Sequence, residues 1–186
     1  LGHSARDTFE LLLENGIEMQ QKPFAVGARI EHPQKLIDRA QLGDGADFLE
    51  FIPADYKLSA HLKNGRGVYT FCMCPGGSVV NASSERGGIC TNGMSNFLRN
   101  GKNANSALLV GVEPSDFPSS HPLAGVAFQR KIERRAFEIT NSYSAPSQTV
   151  GDFLARRPSS GHSGVLPTIQ PAPHYCSIDD CLPSFI

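Results

Sequence analysis

The pattern of apolar and polar positions has the helical period in some segments and the strand period in others. Helical spacing predicts a helix that Ser4 caps and Asn15-Gly16 ends, a short helix opened by Pro33, and a long helix over 122–140. The predicted strands share alternation or β-branched residues and cover 24–30, 56–62, 67–72 and 107–112. Because tight turns join the strands more often than helices do, the pattern favours an α+β fold with a mixed, largely antiparallel sheet and flanking helices.

The remaining segments complete one predicted domain over residues 1–186. Lys63-Asn64-Gly65 predicts a hairpin between two of the strands, whereas 41–54 shows no clear period. The stretch 142–186 is rich in Pro, Ser, Gly and His, so we expect a loop-rich tail of the same domain around one apolar segment, 148–154. In the long helix, the apolar positions lie on one side and the charges on the other; these apolar positions are Val126, Phe128, Ile132, Ala136 and Ile139.

The stretch from Tyr69 to Met94 concentrates turn signals and cysteines. It holds a Cys-x-Cys pair, a Pro-Gly-Gly turn, a Gly-Gly pair and an Asn-Gly turn between strand-like segments. We expect adjacent strands there, with Pro75-Gly76-Gly77 at an exposed turn. Glycines in such a turn adopt positive φ and let the backbone approach something flat, such as another strand or a planar cofactor.

Cys72 and Cys74 share one side of their strand if the strand continues through Met73. The pair suggests redox or metal chemistry, but a structural zinc site needs four ligands and only Cys90 and His61, at irregular spacing, could complete one. No metal site is therefore predicted. The default for each cysteine is a small buried hydrophobe, and Cys176 and Cys181 are predicted to be free thiols; no cysteine and histidine pair is selected by spacing for a hydrolase.

Polar residues at strand ends are the other candidates for a site. Arg29, Glu31 and His32 cluster where a strand meets a helix start, which fits a salt-bridged surface cluster or a substrate-binding group. The segment Lys102 to Ser106 reads as a polar loop before a buried strand, able to hydrogen-bond a ligand but unspecific.

Composition excludes several function classes. The 186 residues carry 17 Lys and Arg against 18 Asp and Glu, so no basic footprint for nucleic acid or an anionic membrane surface is present. No apolar run approaches the roughly 20 residues that span a bilayer, and nothing resembles a signal peptide. Five cysteines, an odd number, argue against a secreted disulfide framework, which indicates a reducing, cytoplasmic compartment.

The two ends of the chain predict a segment of a longer polypeptide. The chain begins at Leu1 rather than Met and ends on the apolar pair Phe185-Ile186. Free termini are usually polar and poorly ordered, so we expect both ends to continue into flanking sequence.

Five ordered motifs are similar to those of the uncharacterised FAD-dependent dehydrogenases, also called NAD(FAD)-utilizing dehydrogenases. The resemblance runs nearly from end to end, although 156–181 matches poorly and Leu1 and Cys90 depart from the usual residues. The motifs are Gly2-His3-Ser4-Ala5-Arg6-Asp7, Gly27-Ala28-Arg29-Ile30-Glu31-His32-Pro33, Phe71-Cys72-Met73-Cys74-Pro75-Gly76-Gly77, Asn92-Gly93-Met94-Ser95 and Asn103-Ala104-Asn105-Ser106-Ala107.

The resemblance implies the central domain of a FAD-dependent oxidoreductase, inserted between two halves of a flanking FAD-binding domain of the same polypeptide. It implies that Gly2, His3 and Ser4 leave a flavin-domain strand, and that Cys72 to Gly77 faces the cavity of flavin and a small-molecule substrate. On this basis Cys72 and Cys74 are candidate catalytic residues, and Pro75, Gly76 and Gly77 join Gly2 to Ser4 as candidate cofactor contacts.

Two alternatives to a flavin-cavity domain stay open at this point, together with one expectation about the cofactor. The glycine turns also fit a non-catalytic ligand-binding or interaction domain. The cysteines also fit a zinc-binding module. The chain lacks a Gly-x-Gly-x-x-Gly fingerprint, so we expect that it does not retain FAD by itself.

Overall fold

The structure, a computed structural model, describes residues 2–48 and 53–186 of the chain. Part of the aperiodic stretch 41–54 therefore lies outside the described residues, and Gly43–Phe48 before the gap is a 3-10 helix. The α-helices are α1 (Arg6–Glu14), α2 (Gln34–Leu42), α3 (Ala124–Thr140) and α4 (Val150–Leu154). The strands are β1 (Phe24–Pro33), β2 (Ser59–His61), β3 (Gly67–Cys74), β4 (Gly77–Asn81), β5 (Thr91–Ser95), β6 (Asn103–Val112), β7 (Pro146–Ser147) and β8 (His174–Tyr175).

The main sheet has four strands in the order β1-β6-β3-β2, and every neighbouring pair is antiparallel. The long strands β1 and β6 pair along their whole length, from Phe24 opposite Val112 to Pro33 opposite Asn103. Two smaller sheets complete the fold, an antiparallel β4-β5 pair and a two-residue parallel β7-β8 pair. The α+β fold with a largely antiparallel sheet is confirmed.

The hairpin between β2 and β3 is also confirmed, and its turn chemistry explains it. The backbone N–H of Leu62 donates to the carbonyl of Arg66, and Gly65 adopts a φ of 83° inside the turn. A residue with a Cβ is disfavoured at such a φ, which is why the Asn-Gly pair predicts the turn.

The expected run of adjacent strands over 69–94 is wrong in one respect. Strand β3 belongs to the main sheet, whereas β4 pairs with β5 in a separate sheet, so the Pro75-Gly76 turn carries the chain between two sheets. Pro75, Gly76 and Gly77 are buried rather than exposed. Turn residues predict a change of direction, but not whether a second sheet will cover it.

Two other local expectations are corrected by the structure. Helix α1 begins after Ala5 and its N-cap has no side-chain hydrogen bond, so Ser4 does not cap it. Residues 103–106 belong to strand β6 and are not a loop, because β1 supplies backbone partners along that whole segment. Within the described ranges, no helix combines the length and apolar character needed to cross a membrane.

Helix α3 connects two hydrophobic clusters. Its first half places Ala124 and Phe128 against Val112 and Phe117, with Phe24, Val26 and Phe185 packed around them. Its second half places Ala136 against a cluster of Val79, Ile89, Ala145 and Ile169. The helix therefore packs against residues of both the main sheet and the β4-β5 sheet.

The segment 142–186 contains helix α4, the short strands β7 and β8 and connecting loops, and it packs against both hydrophobic clusters. Helix α4 is capped by Thr149, whose side chain accepts a hydrogen bond from the backbone N–H of Asp152. Ile169 reaches one hydrophobic cluster and Phe185 the other. Ile169 thus places the stretch that matches the resemblance poorly in the one cluster, whereas Phe185, which contacts the other cluster, follows that stretch.

Candidate functional site

A break in strand β3 creates the most unusual backbone of the main sheet. The register of β3 against β6 shifts between Phe71 and Cys74, and Cys72 inside the break has a φ of +48°. A non-glycine residue in the left-handed region costs roughly 1–2 kcal/mol. The break exposes Cys72 and buries Cys74, so the two thiols do not share one side of a continuous strand. Bulges of this kind occur next to functional sites because they redirect a side chain.

The guanidinium of Arg29 lies against this break and connects three strands to its own. Its Nη2 donates to the carbonyl of Cys72 at 2.6 Å and lies 3.7 Å from Cys74 Sγ. Its Nε donates to Asn105 Oδ1 at 2.8 Å, and its Nη1 to Asn92 Oδ1 at 3.3 Å. Arg29 from β1 thereby contacts β3, β5 and β6. We call Arg29, Cys72, Cys74, Asn92, Gly93 and Asn105 the Arg29 site.

Gly93 covers the site closely, and only glycine fits there. A Cβ at this position would collide with Asn105 Oδ1 and with the guanidinium of Arg29. Asn105 beneath it is completely buried, and its Nδ2 has no hydrogen-bond partner among the described residues. An unpaired buried polar group costs about 1–3 kcal/mol, so the missing hydrogen bond of this amide is locally unfavourable.

The two thiols of the Arg29 site differ in chemistry. Burial raises the pKa of Cys74, and the positive charge of Arg29 offsets this only in part. The Cys74 thiol also donates to the carbonyl of Cys72 at 3.3 Å, which requires its proton. Cys74 is therefore a protonated thiol at neutral pH, and Cys72 is the exposed sulfur of the site.

The structure separates the three residues that the sequence grouped as a substrate site. Glu31 accepts hydrogen bonds from Thr168 Oγ1 at 2.6 Å and Asn103 Nδ2 at 2.9 Å, and so attaches the tail to β1. The imidazole Nε2 of His32 lies 2.8 Å from the hydroxyl of Tyr56. Since neighbouring strand residues point to opposite faces, His32 lies across the sheet from Arg29 and Glu31. Of the three, Arg29 alone belongs to the Arg29 site.

The Pro75-Gly76-Gly77 turn contacts the chain itself. The backbone N–H of Gly76 donates to Gln34 Oε1 at 2.7 Å, and Ser95 Oγ donates to the carbonyl of Pro75 at 2.8 Å. A Cβ at Gly76 would collide with the backbone of Arg99. The close approach that these glycines permit is therefore used for backbone packing within the chain.

The exposed Gly2 to Ser4 turn leads into a second polar cluster, which we call the Arg6 network. Its members are His3, Arg6, Glu10, Glu85, Arg130 and Glu133. Arg6 is 2% exposed and bonds Glu133 through both terminal nitrogens, at 2.9 and 2.6 Å. Arg130 holds Glu85 and Glu10, at 2.7 and 2.6 Å. The network ties α1, α3 and the segment before β5 together.

The charges of the Arg6 network shift the pKa values of its members. Hydrogen bonds to Cys90 first and then to Glu133 raise the pKa of His3 to about 9. Burial acts to raise the pKa of Glu133, but the hydrogen bonds from His3 and Arg6 outweigh it, and the net pKa is lowered. Arg130, with Arg6, lowers the pKa of Glu85 to about 2. At neutral pH the raised pKa of His3 and the lowered pKa values of Glu85 and Glu133 favour the charged form of each of these groups.

The same region gives the group of potential metal ligands found in the described part of the chain. Donor atoms of His3, Cys90 and Glu133 lie within 4.8 Å of one another. Arg6 Nη2, however, lies 2.8 Å from His3 Nε2 and 2.6 Å from Glu133 Oε1, so a cation already neutralises the carboxylate. The ligands that sequence reasoning considered for zinc (Cys72, Cys74, Cys90 and His61) do not form such a group.

The cysteines outside the Arg29 site are free thiols. Burial raises the pKa of Cys176, and raises that of Cys181 to about 11. All five cysteines lie within the described residues and are free. At neutral pH the thiols of Cys176 and Cys181 are therefore protonated, and the two residues contribute to packing.

Sequence reasoning missed residues of both clusters. Asn105 and Gly93 lie in quoted motifs, yet nothing in their spacing indicates that they meet Arg29. Glu133 belongs to the charges of the long helix, yet it is only 9% exposed. Its position three residues before the buried Ala136 puts it on the same helical face, and that spacing was the available signal.

Comparisons with known proteins extend this picture. A family model described as "FAD-dependent protein, C-terminal domain-like" matches residues 23–186. An uncharacterized protein of Clostridium beijerinckii is 46% identical over 188 residues, an alignment that covers 100% of this chain and 35% of the relative. The chain thus spans about a third of the length of the relative it matches. On this evidence the chain belongs to the family of FAD-dependent protein C-terminal domain-like sequences.

Proposed function

We propose that this chain is the domain that covers the flavin and substrate cavity of a FAD-dependent oxidoreductase. The proposal combines family membership with one observation, the guanidinium of Arg29 held at an exposed edge beside the bulge of Cys72. When bound, the flavin supplies the redox chemistry. This chain contributes a preorganised cation and a covering surface that excludes water from the reacting groups.

Among the candidate cofactor contacts, the proposal retains Gly2, His3 and Ser4, which form an exposed turn, and omits the buried Pro75 to Gly77. Among the candidate catalytic thiols it retains Cys72. Exposure lets Cys72 meet a ligand, whereas Cys74 is buried and protonated. Arg29 remains the proposed substrate contact. Glu31 instead attaches the tail through Thr168, and His32 contacts the hydroxyl of Tyr56.

The flavin itself tests this proposal in the full-length polypeptide that contains this chain. We expect the 186-residue chain to purify without FAD and the longer polypeptide to purify yellow. In the longer polypeptide, Arg29→Met should shift the visible flavin spectrum and the rate of flavin reduction, because it removes a positive charge beside the cofactor. Arg134→Met, at an exposed position on α3, is the matched control. A spectrum and rate that Arg29→Met leaves unchanged would contradict the proposal.

A non-catalytic interaction domain is the second candidate, and a specific surface favours it. Phe97 is 99% exposed, and Met94 and Leu98 beside it are also exposed. Apolar side chains so placed are typical of a surface that another protein segment covers. A colourless full-length polypeptide, together with a partner-dependent loss of this exposure, would favour the second candidate over the first.

A further inference from the structure

Arg29 differs in its partners from three other arginines that are buried or half-buried. Arg6, Arg66 and Arg130 each form an ion pair with at least one carboxylate. Arg29 is half-buried, and over residues 2–48 and 53–186 it forms none. Its acceptors are neutral: the carbonyl of Cys72, two asparagine oxygens and a thiol sulfur. A partly buried charge is normally paired with an opposite charge. The positive charge of this guanidinium is not, so it can attract an anion.

Two unfavourable local features hold the guanidinium in place. Cys72 adopts the left-handed region, and its carbonyl thereby reaches Nη2. Asn105 turns its Oδ1 to Nε and leaves its Nδ2 without a partner. Flipping the Asn105 amide would not relieve this, because Nδ2 would then meet the Nε–H of Arg29, donor against donor. Strain and an orphaned amide that converge on one side chain indicate a position maintained for function.

The geometry leaves one edge of the guanidinium available. In the described part of the chain, Nη1 has a single acceptor, the exposed Asn92 Oδ1 at 3.3 Å, so its second N–H has none. Cys72, whose carbonyl accepts from Nη2, is itself exposed. An anion that approaches from solvent can accept a hydrogen bond from the free N–H of Nη1 and replace Asn92 Oδ1 as the acceptor of the long hydrogen bond. Charge-assisted hydrogen bonds of this kind are shorter and about twice as strong as neutral ones.

We propose that Arg29 binds the carboxylate of an anionic small molecule at this edge. Among the described residues, no second cation is bonded into the site. One arginine balances one negative charge, which favours a carboxylate over a phosphate dianion. The inference deepens the proposed function, and rests on it only in identifying this molecule as the substrate of the flavoprotein. The site holds its donor in place before binding, which limits the entropy lost when the ligand binds.

Thermal unfolding of the 186-residue chain tests the binding with acetate and succinate as probes, and with chloride at equal ionic strength as the reference. We expect a saturable rise in Tm of about 3 °C at tenfold excess over Kd. Arg29→Met should abolish the rise, and Arg134→Met should leave it intact. Because Arg29 connects four strands, a second variant guards against unfolding: Asn92→Asp places a carboxylate at the exposed contact. Asn92→Asp should raise Tm by itself and remove the response to acetate.

Two results would overturn the anion site. One is an equal response to acetate in the wild-type chain and in Asn92→Asp; the other is a wild-type response no larger than that to chloride. The flavin experiment is independent of both. If acetate binds as expected while Arg29→Met leaves the flavin spectrum unchanged, the carboxylate site stands and its assignment to a flavin substrate fails.

Discussion

Arg6 and Glu133 form a two-point ion pair across 127 positions of the chain, with Nη1 2.9 Å from Oε2 and Nη2 2.6 Å from Oε1. The pair brings the first helix onto α3, and His3 adds a third contact to the same carboxylate. Because Arg6 is almost completely buried, water cannot replace Glu133 as its hydrogen-bond partner.

Glu133→Gln should destabilise the chain strongly for this reason. Removing one partner leaves the Arg6 charge buried and under-compensated, which costs about 3–5 kcal/mol of unfolding free energy. Urea denaturation measures it. Glu138→Gln is the matched control, since its pair with Arg135 is exposed on both sides and contributes little. Equal effects of the two substitutions would show that burial of Arg6 is energetically unimportant.

His3 should make stability fall on the alkaline side of neutrality. Its pKa is raised from 6.5 to about 9, so protonation favours the folded state. The stabilisation is complete below pH 6.5 and is lost as the pH rises through about 9. The measurement is the difference in urea midpoint between the wild-type chain and His3→Gln. We expect a difference that is large below pH 6.5 and small above pH 9. A difference independent of pH would exclude a charged His3.

Gly93→Ala should disrupt the Arg29 site. The added methyl group collides with Asn105 Oδ1 and the Arg29 guanidinium, and overpacking of this kind costs about 1–3 kcal/mol. Gly161→Ala is the control, because nothing lies within 4 Å of a Cβ at that position. Urea midpoints compare the two variants, and the acetate response of Gly93→Ala should also be weakened. An unchanged midpoint would mean that β5 does not lie close to Arg29.

Thiol labelling should distinguish Cys72 from Cys74. Cys72 is exposed, whereas Cys74 is buried, carries a raised pKa and donates its proton to a carbonyl. With a disulfide reagent at neutral pH we expect Cys72 to react first among the five cysteines, and Cys72→Ser to remove that fast phase. Peptide mapping identifies the labelled residue. Labelling of Cys74 as fast as Cys72 would contradict the bulge at this position.

We expect the 186-residue chain to self-associate through the exposed surface of Met94, Phe97 and Leu98, and Phe97→Ser to reduce this association. The Phe97 ring is 99% exposed, and its transfer from water to a protein contact is favourable. Analytical ultracentrifugation over a range of concentrations measures the effect. Leu154→Ser is the control, since Leu154 is 76% exposed on a different segment. If both substitutions reduce association equally, exposed apolar area in general causes it rather than the Met94 to Leu98 surface.

Local patterns determined most of the elements of this fold. The hairpin around Gly65, the long helix and the strands that contain Phe24 and Val112 follow from turn chemistry and from the spacing of apolar residues, which act between near neighbours. Family membership could also be recognised from the sequence, because the order of motifs can be compared without knowing which residues they contact. The loop expected at 103–106 failed because β1, far away in the chain, supplies its backbone partners.

The site itself was decided by the tertiary structure. The sequence marked Arg29, Cys72 and Cys74, but their relation depends on a register shift that follows from pairing between β3 and β6. Whether Pro75 to Gly77 is exposed depends on how the second sheet is placed over the turn, and no local pattern encodes that placement. Glu133 has the charge of a surface residue and becomes buried because Arg6 supplies a partner. Propensity and periodicity act within a few residues of the chain, whereas charge pairing and burial are set by residues that folding brings together.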